Sequence, residues 1–315
     1  MKLVISGVLL LSGFVSKGQQ HDYVPFFHKM RSAYELYGQQ HYCETAEFLG
    51  TIYSDTTISF PDGYLLLAKS KYLSGEKEES FKWFRLSIEK QGCDLKRYST
   101  LESDSAYAEQ LAEDSSWQEL MTDYPRLHQN HEQTLNVSLR ESIDSLTQED
   151  QRIRKKRKEF DNQEDFRRSV ARVDSTNFVA LKELIRNNGG MPDRFKIGNN
   201  YFRFLTMLFH YIHPDNKQEW EYYTDMLFRN FKEEGGFPDN YTIMFFMDKN
   251  WYYSNMHGGG YQLYGTWHDR DTKAIYPIWD IENVDKRRYE IGAEPLWQFA
   301  RDNNYILPES YTYRE

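Results

Sequence analysis

The chain has 315 residues, a formal net charge of -9 at pH 7, 28% charged and 39% hydrophobic residues. That length accommodates two domains with separate cores, and the acidic excess excludes a general nucleic-acid binder, which would present a basic surface. The 24 Tyr, 20 Phe and 7 Trp supply large rings whose polar tips need partners once buried.

Met1-Lys2 is a short basic start, and Leu3 to Val15 is an apolar run of 13 residues that ends in Ser16-Lys17-Gly18. This is the layout of a secretory leader, so residues 1–18 are read as a signal peptide and the mature chain as exported, periplasmic or secreted. The run is shorter than the roughly 20 residues that span a membrane, and no later apolar stretch of that length is free of charges. No Cys follows the run to carry a lipid anchor. The only cysteines are Cys43 and Cys93. After export they have two fates: a disulfide, worth about 4 kcal/mol on the chain-entropy model, or two packed thiols. Two isolated cysteines do not make a zinc site, and no metal or cofactor is expected.

Helical periodicity begins at Tyr23. Phe27, Met30, Tyr34 and Tyr37 form one ladder that breaks near Gly38, and Ala46, Leu49 and Tyr53 form a second before Pro61-Asp62-Gly63. Tyr64, Leu67, Ala68, Gly75, Ser80, Phe84 and Ser87 follow at the spacing of a helix pair. The small residues let two helices approach, the glycine opens the turn, and the aromatic fills the groove. Leu101 to Leu120, with Asp104 and Trp117, reads as closing helices. Residues 19–124 therefore resemble a small, degenerate tetratricopeptide-like unit, which implies a helical scaffold or a groove for a peptide. Pro125 and the polar residues up to 138 read as a linker.

Residues 139–300 read as a second helical domain. Leu139, Ile143, Leu146 and Ile153 share one face, and the basic run Arg152 to Lys158 reads as its solvated side because acidic residues follow at once. Asp174-Ser175 reads as a helix start ahead of Phe178, Leu181 and Ile185, with Gly189-Gly190 as the stop. Tyr201 to Ile212 is apolar almost all round and is expected to be a central buried helix ending at His213-Pro214-Asp215. Two amphipathic helices follow, the second placing Asp248 on an apolar stripe with Tyr241, Met244 and Phe245. A carboxylate there requires donors, as an anchor or as part of a site. Gln262 to Trp267 and Lys273 to Ile278 read as a small β-hairpin. Two short helices are expected near Asn283 to Tyr289 and Pro295 to Phe299. Residues 301–315 read as a surface tail. The fold expected is mainly α: tetratricopeptide-like hairpins, then a helical domain carrying one hairpin.

The second half carries an ordered series of motifs. Asp150-Gln151-Arg152-Ile153-Arg154 resembles D-Q-x-x-R, and Asp174 with Asn177 resembles V-D-x-x-N. Gly190-Met191-Pro192 matches G-x-P, and His213-Pro214-Asp215 resembles H-x-D. Gln262 to Thr266 resembles Q-x-Y-G-T. Pro277-Ile278-Trp279-Asp280 and Val284 to Arg288 resemble P-I-x-D and V-D-x-R-R. Taken in order, they resemble the uncharacterised bacterial domain-of-unknown-function family 6624. The resemblance implies candidate positions and no reaction. Two departures stand out: Asp248-Lys249 replaces a D-R pair, and Trp267 replaces the Gln after Y-G-T.

These residues frame three readings. In the first, the chain is a binding or scaffold protein. Its ligand site comprises Gln262, Tyr264, Thr266, Arg287 and Arg288, with Asp150 and Arg154 added by the resemblance, and takes a peptide, a protein or a small anionic ligand. In the second, a hydrolase-type enzyme uses His213 as acid or base, oriented by Asp248 or Asp285, with Arg287 and Arg288 stabilising an anion. His210, three residues before His213, reads as a core or capping residue. In the third, the polar residues only pin the hairpin and last helices to the core.

Overall fold

The computed structural model describes residues 23–54, 63–95, 105–211, 217–231, 239–254 and 260–312. The leader expected at 1–18 and the His213-Pro214-Asp215 segment lie outside them. The described residues are mainly α-helical, as expected.

The first helices pack in succession. They are α1 (Val24–Gly38), α2 (Tyr42–Ser54), α3 (Gly63–Leu73) and α4 (Lys77–Gln91), followed by α5 (Ser105–Glu113) and α6 (Ser115–Thr134). The residues that signalled a pair in the sequence make the α3–α4 contact. Ser80 Oγ donates to the Ala68 carbonyl at 2.7 Å where the helices approach, and Phe84 is buried between them. Gly75 turns the chain at φ +90°, a conformation that costs a glycine little.

The expected linker at 125–138 is absent as such. Helix α6 runs on to Thr134 with Pro125 inside it, and α7 (Val137–Lys155) starts after two intervening residues, capped by Asn136 Oδ1 accepting from Leu139 N at 3.0 Å. The reason is packing. Trp117, Leu120, Tyr124, Leu127 and His131 lie on one buried stripe, and the burial of Leu127 and His131 beyond the proline offsets the lost backbone bond.

Nor do 19–124 and 139–300 separate cleanly. Helix α1 serves both cores: Phe26, Met30 and Ala33 pack with α2 and α3, while Phe27 joins the C-terminal core and stacks on Phe231 at 4.8 Å. Arg31 Nη1 donates to the Ala293 carbonyl at 2.9 Å, and Gly292, at φ +74°, lets the chain pass so close that a Cβ would lie 2.6 Å from Phe27 Cβ.

The C-terminal core is built by α7, α8 (Gln163–Asn187), α9 (Arg194–Ile197), α10 (Asn200–His210), α11 (Lys217–Arg229) and α12 (Asn240–Ser254). Helix α8 begins at the cap Asn162, well before Asp174, which sits mid-helix; its carboxylate turns inward to an arginine and caps nothing. Helix α10 is amphipathic instead of buried all round, with Phe202 46% exposed while Tyr201, Phe204, Leu205 and Leu208 are buried.

Residues 260–312 wrap the end of this bundle. The expected hairpin does not form as two strands: isolated bridges pair Gln262 with Ile278, His268 with Ile275 and Ala274 with Ile306. Helices α13 (Val284–Tyr289) and α14 (Leu296–Asn303) follow. The final stretch is no free tail, because Ile275 N donates to the Ile306 carbonyl at 2.9 Å and Tyr311 Oη donates to Asp285 Oδ2 at 2.7 Å. Cys43 is exposed on α2, and Cys93, partly buried, packs against the α3–α6 core; no disulfide joins them.

Candidate functional site

The polar residues of the 262–288 segment converge, and their partners are one another and the local backbone. Asp248 on α12 is fully buried. Its Oδ1 accepts from Leu263 N at 2.7 Å and Tyr264 N at 2.6 Å, and its Oδ2 from Thr266 N at 2.8 Å and Thr266 Oγ1 at 2.7 Å. Burial pushes the Asp248 carboxyl up from its ordinary value and the four donors oppose that. Three backbone N–H groups can aim at one carboxylate because Gly265 adopts φ +81°, where a Cβ would lie 2.6 Å from Leu296 Cδ1.

Gln262, also buried, donates from Nε2 to the Trp267 and Tyr276 carbonyls, each at 2.9 Å, and accepts from Trp267 N at 2.8 Å. Arg288 is fully buried and donates to the carbonyls of Glu294 at 2.6 Å and Tyr264 at 2.7 Å, and to Glu294 Oε1 at 3.1 Å. Arg287 donates to the carbonyls of Leu263, Trp279 and Asp280 and to Asp280 Oδ2 at 3.1 Å. Asp285 accepts from Leu296 N at 2.6 Å as well as from Tyr311. Tyr264 is buried among them. The side-chain donors and acceptors of Gln262, Thr266, Arg287 and Arg288 expected to meet a ligand are occupied in closing an irregular segment that has no regular ladder to satisfy its backbone.

A second charged cluster lies where α7, α8, α10 and α12 meet. Asp150 on α7 is 1% exposed. Its Oδ1 accepts from His210 Nδ1 at 3.0 Å and Arg154 Nε at 2.9 Å, and its Oδ2 from Gln151 Nε2 at 2.8 Å. Arg154 also donates from Nη2 to Asp174 Oδ1 at 2.7 Å, tying α7 to α8. Asn177, one helical turn on, reinforces this by donating to the Leu146 carbonyl at 3.2 Å. Lys249 on α12 is 7% exposed, donates to the Phe209 carbonyl at 2.6 Å and lies 3.6 Å from the centre of the Phe209 ring.

The environments push these groups apart. Burial raises the Asp150 carboxyl, but His210 and Arg154 outweigh it and hold the group below its ordinary value. Burial wins at Asp174, which is raised despite Arg154. Burial also lowers the Lys249 amine to about 7, against the pull of Asp174. The side chains of His210 and Asp174 remain 24% and 15% exposed, so the cluster reaches solvent at that edge. Among the described residues, Asp174 Oδ2 and His210 Nε2 carry no hydrogen bond. Donor atoms of Asp150, Asp174 and His210 lie within 4.8 Å of one another, the spacing of a cation site, and the Arg154 guanidinium is the cation that bonds both carboxylates.

Of the residues singled out in the sequence, Asp150 and Arg154 belong to this cluster. Gln262, Tyr264, Thr266, Asp248, Asp285, Arg287 and Arg288 belong to the closed network. Asp174, His210 and Lys249 were missed as site residues. The signal for Asp174 was its place on the stripe with Phe178, Leu181 and Ile185, which are all buried. A carboxylate on a buried stripe requires a partner, whereas a cap requires none. No family model, curated protein or solved structure matches the chain.

Proposed function

We propose that the chain is an exported binding protein whose ligand site is the Asp150–Arg154–Asp174–His210–Lys249 cluster, with the N-terminal helices as its scaffold. The leader-like residues 1–18 support export. The observation that carries the binding reading is the contrast in hydrogen-bond use. In the 262–288 network the side chains of Gln262, Thr266, Asp285, Arg287 and Arg288 are turned onto the protein itself, and the atoms left over, Trp267 Nε1 and His268 Nδ1, are buried. In the cluster, two acceptors from different helices, Asp174 Oδ2 and His210 Nε2, carry no hydrogen bond among the described residues, on side chains that are partly exposed and that adjoin a buried carboxylate and a buried amine. Perturbed ionisable groups gathered in this way mark functional sites more often than chance. Two free acceptors select a small polar ligand that donates through hydroxyl or amine groups. The anionic ligand expected from Arg287 and Arg288 loses its support, since both guanidinium groups are taken up by carbonyls and carboxylates of their own segment.

The test is a thermal-shift screen of the mature protein against small polyols, amines and amino acids, with Asp174→Asn in parallel. A compound that raises the melting temperature of the wild type and not of Asp174→Asn supports the site. Equal stabilisation of both proteins by every active compound rejects it.

A further inference from the structure

The same cluster is arranged for proton transfer, and this inference rests on the binding reading just given. We propose that His210 is a general base, with Asp150 as its positioning residue, and that the site hydrolyses small uncharged carboxylic esters.

Asp150 anchors the imidazole of His210. Its carboxylate is buried, and three donors, from Arg154, His210 and Gln151, fix both oxygens. An acceptor so held requires a proton on the imidazole nitrogen that faces it, so His210 carries its proton on Nδ1. Nε2 is then left with its lone pair, on a side chain that is 24% exposed. A buried carboxylate that sets the tautomer of an imidazole, with the second nitrogen turned to the ligand, is the division of roles that general-base catalysis needs.

Charge selects the substrate. Asp174 is partly exposed and the Arg154 guanidinium is already bonded to two carboxylates, so a phosphate or carboxylate-bearing ester meets the Asp174 charge. Lys249 Nζ is bonded to the carbonyl of the residue before His210. In the reaction, Nε2 takes a proton from a bound water as its oxygen attacks the acyl carbon. The tetrahedral intermediate collapses by breaking the bond to the alkoxy oxygen. The imidazolium returns its proton to the departing alkoxide. Water and ester give acid and alcohol, and His210 ends neutral.

The experiment uses the mature chain with p-nitrophenyl acetate as the uncharged probe and p-nitrophenyl phosphate as the charged one. The acetate is expected to be cleaved faster than in matched buffer and the phosphate not. His210→Gln should lower kcat by about 100-fold or more with an unchanged circular-dichroism spectrum. Asp150→Asn should lower kcat while KM stays within about twofold. Because Asp150 is buried and its variant is the one at risk of misfolding, nitrogen-15 NMR of the wild-type histidines gives an independent reading, with the proton of His210 expected on Nδ1. Acetate cleavage no faster than buffer, cleavage unchanged in His210→Gln, or a proton on Nε2 each overturns the proposal. If ligands still stabilise the wild type and not Asp174→Asn, the binding reading survives that failure.

Discussion

Asp248 and Lys249 are neighbours in sequence on α12 and serve two different charged centres. Asp248 faces the 262–288 segment, where its carboxylate takes four donors at 2.6 to 2.8 Å. Lys249 faces the α7–α8–α10 junction, where its amine has burial, one carbonyl and an aromatic face. The first centre is closed: it replaces the ladder that an irregular segment lacks. The second is a partial network at an edge, with acceptors left over. Charge and burial are similar in both, so neither property tells a fastener from a site. The fraction of donors and acceptors already used does.

The sharpest way to break this comparison is to remove one arginine from each centre. Arg288→Met leaves the Tyr264 and Glu294 carbonyls and the Glu294 carboxylate without their donor, in a place the arginine fills completely. The expected loss is on the order of 3–5 kcal/mol in urea denaturation. Arg154→Met should cost about 1–2 kcal/mol, because His210 and Gln151 still serve Asp150 and water reaches Asp174. Equal losses would mean that both centres are fasteners.

The second way is pH. In the unfolded chain Lys249 titrates near the ordinary 10.5 and in the folded protein at about 7. Between those values unfolding takes up a proton, so stability rises with pH, by a slope approaching about 1.4 kcal/mol per unit. The penalty is complete below pH 7 and gone above 10.5. Lys249→Met removes the titration. The wild-type-minus-variant difference in unfolding free energy, measured from pH 6 to 10, should therefore climb toward alkaline pH. A flat difference would show that the lysine stays charged in the fold and has an acidic partner close by.

How much of this was legible in the sequence depends on the kind of signal. Apolar stripes located most helices, and Ala68, Gly75, Ser80 and Phe84 located one helix pair, because packing geometry leaves a periodic trace. Pro125 and Asp174 misled for the same reason: each is a strong local signal, for a break and for a cap, that a longer buried stripe overrides. The polar residues at 262–288 were correctly seen as a group. That most of them bond within their own segment was invisible, since the acceptors are mostly main-chain carbonyls that every sequence has. The second centre was half visible, through the i, i+4 pair Asp150 and Arg154. His210 joins it from 60 positions away, a distance no local pattern spans.

The smallest expected effect separates two arginines on one turn of α7. Arg152 and Arg154 belong to the same basic run, and both hydrogen-bond to carboxylates at under 3 Å. Arg152 pairs with Glu149 on the solvated side, where the two side chains are 55% and 44% exposed, while Arg154 turns inward. Exposed pairs three residues apart exchange one set of partners for water and add little. Arg152→Ala should accordingly leave the urea midpoint, and any ligand-induced thermal shift, indistinguishable from wild type. A midpoint drop comparable to that of Arg154→Met would place Arg152 inside the second centre too. The boundary drawn here, at Arg154 on α7 and Asp174 on α8, would then have to move outward toward the groove that Arg152 lines with Arg172 and Thr176.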